Sequence, residues 1–466
     1  MAAIITDRLK RQFINHLYND VLDSSNNYYV GIGRSEPWDS SDAAPTPIKS
    51  QRDERNARLG MQAVKTAETV SFVVPRHNWS SGTIYSAFDD AYAAYPTNPY
   101  YVLTDENSVY MCIQPGRNAA GSSVTSTVKP TGTNSRPIST ADGYVWKYLY
   151  TIGALDGTKF TSANFIPVTK VNDSAGTPGL SALQVNQRLV QEAATKGEII
   201  SIQLTNAGSG YTGTPTIQIT GDNSGKQAAA TATVSNGIVT KIEMNDSGAG
   251  SKTGHAFGSG YTRADVAING GGGTGATARA VFGPDSGVGA DPREDLRSFS
   301  LMFNSRIAGD ENDILKVGND FRQTLLLKNV EADSAGGDGP LYVADVGNAL
   351  NYLKLSTVST PFTVDRTILG ASSSAKGLVD FVDSSRIYYH QSEVTGFGVF
   401  QEGEVLTEQN GNGDGIVENA AADSDTFAYR FPDVNPFSGE LLYIDNRSPI
   451  ERSNDQTEDI KVVIQL

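Results

Sequence analysis

Few residues in this chain are spaced as chemistry requires. Gly270-Gly271-Gly272-Gly273-Thr274-Gly275 satisfies the G-x-G-x-x-G pattern, in which a strand runs into glycines and a helix N-terminus receives a pyrophosphate. Only Ala276–Phe282 follows before Gly283-Pro284, too short for that helix, so the pattern predicts a hairpin turn. Asn410-Gly411-Asn412-Gly413-Asp414-Gly415 has the alternating oxygens and sixth-position glycine of a calcium loop. Asn takes the place of its first carboxylate, however, and Ala421 stands where the bidentate Glu belongs. A solvated hairpin turn is the simpler expectation. His16, His77, His255 and His390 are too scattered to share a metal, and neither H-E-x-x-H nor G-x-S-x-G occurs. His77 near Trp79, and His390 after Tyr388-Tyr389, read as polar members of aromatic patches. Asp89-Asp90 and Asp39 are the acids beside aromatics that merit inspection, but nothing in the spacing favours any carboxylate pair for glycoside hydrolysis. One segment does call for a special role. Gly33–Trp38 (GRSEPW) packs Arg34, Glu36, a proline and Trp38 into a rigid turn carrying an aromatic anchor, the kind of feature that packs into a neighbour. It lacks the base and nucleophile of an enzyme site. The expectation is therefore no catalytic residue, cofactor or metal, with Arg34, Glu36, Trp38 and Trp146 as candidate interface anchors.

Composition narrows the classes further. The 466 residues carry 37 Lys and Arg against 52 Asp and Glu, a net charge of −15, which opposes binding to a phosphate backbone. A single cysteine, Cys112, excludes an internal disulfide or a cysteine-built zinc site. No apolar run reaches the roughly 18 residues of a membrane span, and MAAIITDRLKRQF meets charge too early to read as a secretory signal. Neither nucleic acid nor membrane is expected as a partner. The 47 glycines and 19% charged residues favour strands and turns over a helical bundle. The predicted class is mainly β with a few α-helices (α+β), in a nested multidomain sandwich- or barrel-like architecture.

The elements that must hold these residues follow from periodicity. Thr6 can cap a helix with Leu9, Phe13, Leu17 and Val21 on one face, ended by Ser24-Ser25-Asn26-Asn27. Tyr28–Ile32 then reads as a strand, and a second helix is predicted over Asp53–Thr69 despite Gly60. Val70–Val74, Ser108–Gln114, Tyr144–Tyr150, Arg297–Ile307, Phe321–Val330, Gly439–Asp445 and Ile460–Leu466 read as strands, while Ala119–Thr140 reads as a long loop. Gly197–Val234 and Gly237–Val281 are two copies of one repeat. Gly208-Ser209-Gly210-Tyr211-Thr212 recurs letter for letter as Gly258-Ser259-Gly260-Tyr261-Thr262, which predicts stacked β units sharing a core. Phe362–Val364, Gly377–Val382, Arg386–Tyr389 and Gly403–Leu406 suggest a small barrel or sandwich. The predicted organisation is a main body at 1–196, 284–359 and 421–466, interrupted by a duplicated module at 197–283 and a small β module at 360–420. The terminal strand is expected inside the main sheet, paired with Tyr28–Ile32 or Tyr144–Tyr150.

GRSEPW (Gly33–Trp38), DGYVWKYLY (Asp142–Tyr150), DPREDLRSFSLMFNSRI (Asp291–Ile307), NDFRQ (Asn319–Gln323) and GELLYIDNRSPIERSNDQTEDIKVVIQL (Gly439–Leu466), in this order, closely resemble the baseplate wedge subunit of T-even-type contractile-tailed bacteriophages. The resemblance implies a virion structural protein of the tail baseplate, made in the host cytoplasm. It further implies a homodimer whose partners are the other baseplate wedge proteins. The duplicated module and residues 360–420, with their Thr367-Ile368-Leu369-Gly370-Ala371-Ser372 turn, look instead like β modules widespread in phage structural proteins. Exposed Tyr and Trp on such modules leave a glycan-binding or glycan-cleaving tail protein as the alternative reading.

Overall fold

The computed structural model describes residues 4–67, 69–245, 256–312, 314–315, 317–318, 320–334, 337–419, 429–430 and 432–466. The protein is mainly β, with short helices between several sheets. It divides into two compact units. One comprises Met1–Arg11, Ser71–Leu301 and Gln465–Leu466, the other Gln12–Val70 and Met302–Ile464. Residues 1–196 are thus shared between both units, because strands early in the chain pair with strands some 300 residues later.

In the second unit, Tyr28–Gly33 lies at the centre of an antiparallel five-stranded sheet. The order is Val346–Asn348, Met61–Thr66, Tyr28–Gly33, Asp320–Lys328, Glu440–Glu451. Tyr29 faces Leu327 and Ile32 faces Thr324, and Tyr29, Met61, Val64, Leu325 and Leu327 form the core beneath. Both central strands are buried along almost their whole length; Tyr28–Gly33 is apolar throughout, whereas Asp320–Lys328 also buries the polar Arg322, Gln323 and Thr324. The predicted helix over Asp53–Thr69 is corrected. A helix occupies Gln51–Leu59, capped by the Ser50 hydroxyl, and stops at Gly60. Met61–Thr66 then forms a strand. The apolar residues beyond Gly60 are the strand's buried side chains, not a helical face.

The same unit holds a barrel. Arg386–His390, Lys376–Asp383, Thr367–Gly370, Val405–Glu408, Asp414–Val417 and Asn351–Thr360 follow one another around it, and the first and last pair to close it. Ile368, Val379, Ile387, Phe400, Leu406 and Val417 fill its interior. The ring reaches back to Asn351. Phe362–Val364 is not a strand; Phe362 plugs the core from a loop. Thr367–Gly370, read as a turn, is a strand whose following turn is bound by the Glu404 carboxylate, which accepts from the Ser372 and Ser373 amides at 3.1 and 3.0 Å.

In the first unit, Tyr101–Leu103, Ser108–Gln114, Val145–Thr151 and Ile138–Ser139 form a four-stranded sheet that buries Tyr110, Cys112, Tyr144, Trp146 and Tyr148. Ser108–Gln114 alternates in sequence yet is buried on both faces. Helix Ala182–Ala193, opened by a Ser181–Gln184 capping box, covers this sheet through Val190.

The duplicated module is not a stack of two units. Its copies interlace. Ile199–Ser209 of the first copy pairs with Thr274–Phe282 of the second, Ala230–Ser235 with Ile238–Met244, and Thr216–Gly221 with Ala264–Asn269. The cross-copy bonds are reciprocal: the Tyr211 amide donates to Gly237 O at 3.0 Å, and the equivalent Tyr261 amide donates to Gly197 O at 3.1 Å. Neither copy has a core without the other. The copies meet at Asn236-Gly237, both with positive φ as a two-residue hairpin demands. Phe282 faces Ile199, so the module's two ends lie side by side, as expected of an insertion.

Two further expectations change. The first helix runs Asp7–Leu22 with its Thr6 cap in place, but Leu9 and Phe13 are exposed and Ile14, off the predicted stripe, is the buried residue. The terminal strand Thr457–Gln465 pairs with Ser300–Ala308, and no strand adjoins its other side among the described residues. It cannot join Tyr28–Gly33 or Val145–Thr151, because each already has a strand on both sides.

Candidate functional site

The Gly33–Trp38 turn begins where two strands come too close for a side chain. A Cβ at Gly33 would stand 2.5 Å from Gly60 O, so only glycine fits. Arg34 then turns the chain with a positive φ of 62°, its amide donating to Gly60 O at 2.7 Å. The Arg34 guanidinium lies 4.0 Å from the Trp38 ring centroid, a cation–π contact, and the Trp38 indole N–H donates to Arg447 O at 2.8 Å on the strand Glu440–Glu451. Trp38 is therefore a half-buried clasp on its own chain and not a free anchor. The Ser35 hydroxyl donates to Asp380 Oδ1 at 2.6 Å, and Asp380 Oδ2 meets His390 Nδ1 at 2.7 Å. Glu36 Oε2 lies 3.9 Å from His390 Nε2. The turn thus ties the main sheet to the barrel strands Lys376–Asp383 and Arg386–His390.

Arg322 locks the base of this turn. It donates to Asp42 Oδ2 at 2.7 Å, to Asp320 Oδ2 at 2.8 Å and to Ser35 O. Burial alone would lower its pKa, but hydrogen bonds to the two carboxylates outweigh burial and hold it above the ordinary value. His390 behaves likewise. Burial opposes its charge, yet Asp380 and Glu36 push its pKa up to about 10, and Glu36 in turn is held below the usual carboxylate range, first by the facing His390. At neutral pH the imidazole is a cation between two anions, unable to accept a proton as a general base would. The order Ser–Asp–His also places a carboxylate where a triad needs the imidazole.

Beside the turn lies a cleft of about 440 Å³, walled by Trp38, Ile48, Arg52, His390, Val394 and Ile444. A second group of shifted ionisable residues sits in the first unit. Lys147 is depressed by burial, Glu198 is raised by burial to about 7, and Asp295 is raised well above its ordinary value. The adjoining cavity of about 20 Å³ has room for a water and not for a substrate.

The remaining sequence candidates are structural. Trp146 is wholly buried, stacked on Tyr144 at 5.5 Å with Tyr85 edge-on at 5.4 Å, which corrects its reading as an interface anchor. Asp89 and Asp90 pair with Arg279 and fasten the duplicated module to the loop before Tyr100. The glycine cluster 270–275 is a turn between Ala264–Asn269 and Thr274–Phe282, packed on the Tyr211 ring, but not the predicted hairpin: those two strands pair with Thr216–Gly221 and Ile199–Ser209 in separate sheets. The calcium-like loop encloses the Glu408 carboxylate, 2.6 Å from where a Cβ on Gly413 would lie. Its twelfth position, Ala421, lies outside the described residues, as does His255. His77 packs edge-on against Tyr101 at 5.1 Å. Among the described residues no group of three His, Cys, Asp or Glu could hold a metal ion, and no helix is long and apolar enough to cross a membrane.

Sequence reasoning missed Asp42, Asp320, Arg322 and Asp380. Ser35 and Asp380 are 345 positions apart, and no local pattern connects them. No protein-family model matches the chain, and no curated protein matches it.

Proposed function

We propose that the chain is a non-enzymatic structural subunit of the baseplate wedge of a contractile phage tail, joining neighbouring wedge proteins as a homodimer. The carrying observation is the Gly33–Trp38 turn. Ser35, Glu36 and Trp38 are each engaged by other parts of the same unit and Arg34 stacks on Trp38 within the turn, so the segment that leads the resemblance works as a mechanical clasp. The other blocks of that resemblance also form structural elements: the strand Val145–Thr151, the turn and strand around Asp291–Ile307, and the closing strands Glu440–Glu451 and Thr457–Gln465. Closed ion networks over long sequence separations resist deformation, which a load-bearing subunit needs. The glycan reading loses its support here, because the tyrosines of the two modules, Tyr211, Tyr261, Tyr388 and Tyr389, are buried and offer no ring face for a sugar. The test is a density map of the intact tail of a phage encoding this chain. Density for the chain in the baseplate around the hub is expected; a tail built without it overturns the proposal.

A further inference from the structure

We propose that the Lys147 amine and the Asp295 carboxyl condense into an intramolecular isopeptide bond, with Glu198 carrying the protons. Lys147 is 6% exposed on the strand Val145–Thr151, and Asp295 is wholly buried at the end of the short helix Pro292–Asp295. Both side chains adjoin Gly289. Its amide donates to Asp295 Oδ2 at 2.9 Å, and a Cβ placed on it would stand 3.3 Å from Lys147 Cε. Glycine therefore leaves open the space between lysine and carboxyl. Glu198 stands with Lys147 on the walls of the 20 Å³ cavity.

The two reacting groups are poorly satisfied as they stand. The Lys147 ammonium has three protons to donate and gives one to Ser135 O. Asp295 Oδ1 is buried without a hydrogen-bond partner. Holding both charges in such a core costs several kcal/mol per ion, and an amide abolishes both. Burial already biases each group towards its reactive form, the lysine towards the neutral amine and the aspartate towards the protonated acid. Glu198 and Asp295 are the charges that act on Lys147. In the reaction Lys147 swings away from Ser135 O and its lone pair attacks Asp295 Cγ. Glu198 takes a proton from the attacking nitrogen and returns it to the departing hydroxyl. One C–N bond forms, one C–O bond breaks and one water leaves, with no oxidant or reductant required. Glu198, raised by burial to about 7, can both accept and donate a proton near neutrality. The cavity has room for the water released. The bond joins the chain on either side of the duplicated module at 197–283, in a protein whose single cysteine can form no internal disulfide.

The experiment is intact-mass spectrometry of the denatured full-length chain, followed by tryptic peptide mapping. The wild type should weigh one water less than its sequence, and the map should contain a branched peptide in which Lys147 is joined to Asp295. K147R and D295A should keep the full sequence mass. E198Q should form the bond about 100-fold more slowly or worse, followed as mass against time at neutral pH. A wild type of full sequence mass after prolonged incubation at neutral pH overturns the proposal. So does a lost water that maps elsewhere, such as a succinimide at an Asp-Gly pair, or one that persists in K147R or D295A. Bond formation in E198Q at the wild-type rate overturns the role of Glu198.

Discussion

Replacing His390 with Gln keeps a donor for Asp380 but removes the positive charge that Asp380 and Glu36 share. The imidazole has an ordinary pKa of 6.5, and the folded protein pushes it up to about 10. A folded pKa above the unfolded one means that the native state holds the proton more tightly. The stabilisation is therefore complete below about pH 6.5 and is lost as the pH rises through 10. Within that window the slope is at most about 1.4 kcal/mol per pH unit, or up to about 5 kcal/mol in all. At neutral pH H390Q should be about 3–5 kcal/mol less stable than the wild type, because the buried Asp380 loses its cationic partner. The gap should narrow steadily between pH 7 and 10. A chain with several cores does not unfold as one unit, so the readout must be local: hydrogen exchange of Lys376–Asp383 and Arg386–His390, followed by mass spectrometry and corrected for intrinsic rates. The proton resonances of the four histidines give a direct check, since His390 should not titrate between pH 6 and 9. Wild-type and H390Q protection curves that stay parallel from pH 7 to 10, or a His390 resonance with a midpoint near 6.5, would refute the reasoning.

Arg322→Met should cost about 3–5 kcal/mol, seen as a lower melting temperature, because Asp42 and Asp320 lose their shared cation; adding D42N and D320N should recover much of the loss. Tyr261→Phe removes the oxygen that accepts from the buried Ala228 amide at 2.9 Å, so it should cost about 1–3 kcal/mol. Because the copies interlace, faster exchange should appear in strands of both repeats and not in the second alone. The Cys112 thiol is buried and its pKa is pushed far up by that burial. A thiol reagent should find no reactive group in the native protein and one after denaturation; fast native reaction would contradict the packed aromatic sheet. Gly33→Ala should fail to express as soluble protein or melt well below the wild type, since its Cβ would meet Gly60 O at 2.5 Å.

Legibility followed the range of the interactions. Tyr28–Gly33, Thr69–Pro75, Ser108–Gln114 and Val145–Thr151 stand where β-branched and aromatic runs announce them, and the Thr6 cap is a local feature that local residues specify; the glycines at 270–275 announced a turn, but not that its two strands would join different sheets. The second helix was misplaced because Met61, Ala63 and Val64 suit either a helical face or a doubly buried strand. Periodicity cannot separate the two over so few residues.

Composition, net charge, the repeat and the turn residues belong to the sequence by itself, because each depends on neighbours along the chain or on sums over it. Which strand pairs with which does not. The repeat's letters are equally compatible with stacked and interlaced copies, and only the pairing of Ile199–Ser209 with Thr274–Phe282 distinguishes them. The same holds at the clasp. Arg34, Glu36 and Trp38 marked themselves by their crowding, yet the distant partners of this turn, Asp380 for Ser35, His390 for Glu36 and Arg447 for Trp38, lie more than 300 residues away. Charge pairing adds specificity once the sheet faces are buried. It cannot be read beforehand, since an isolated Asp or His carries no record of which distant carboxylate or imidazole the folded sheets will bring beside it.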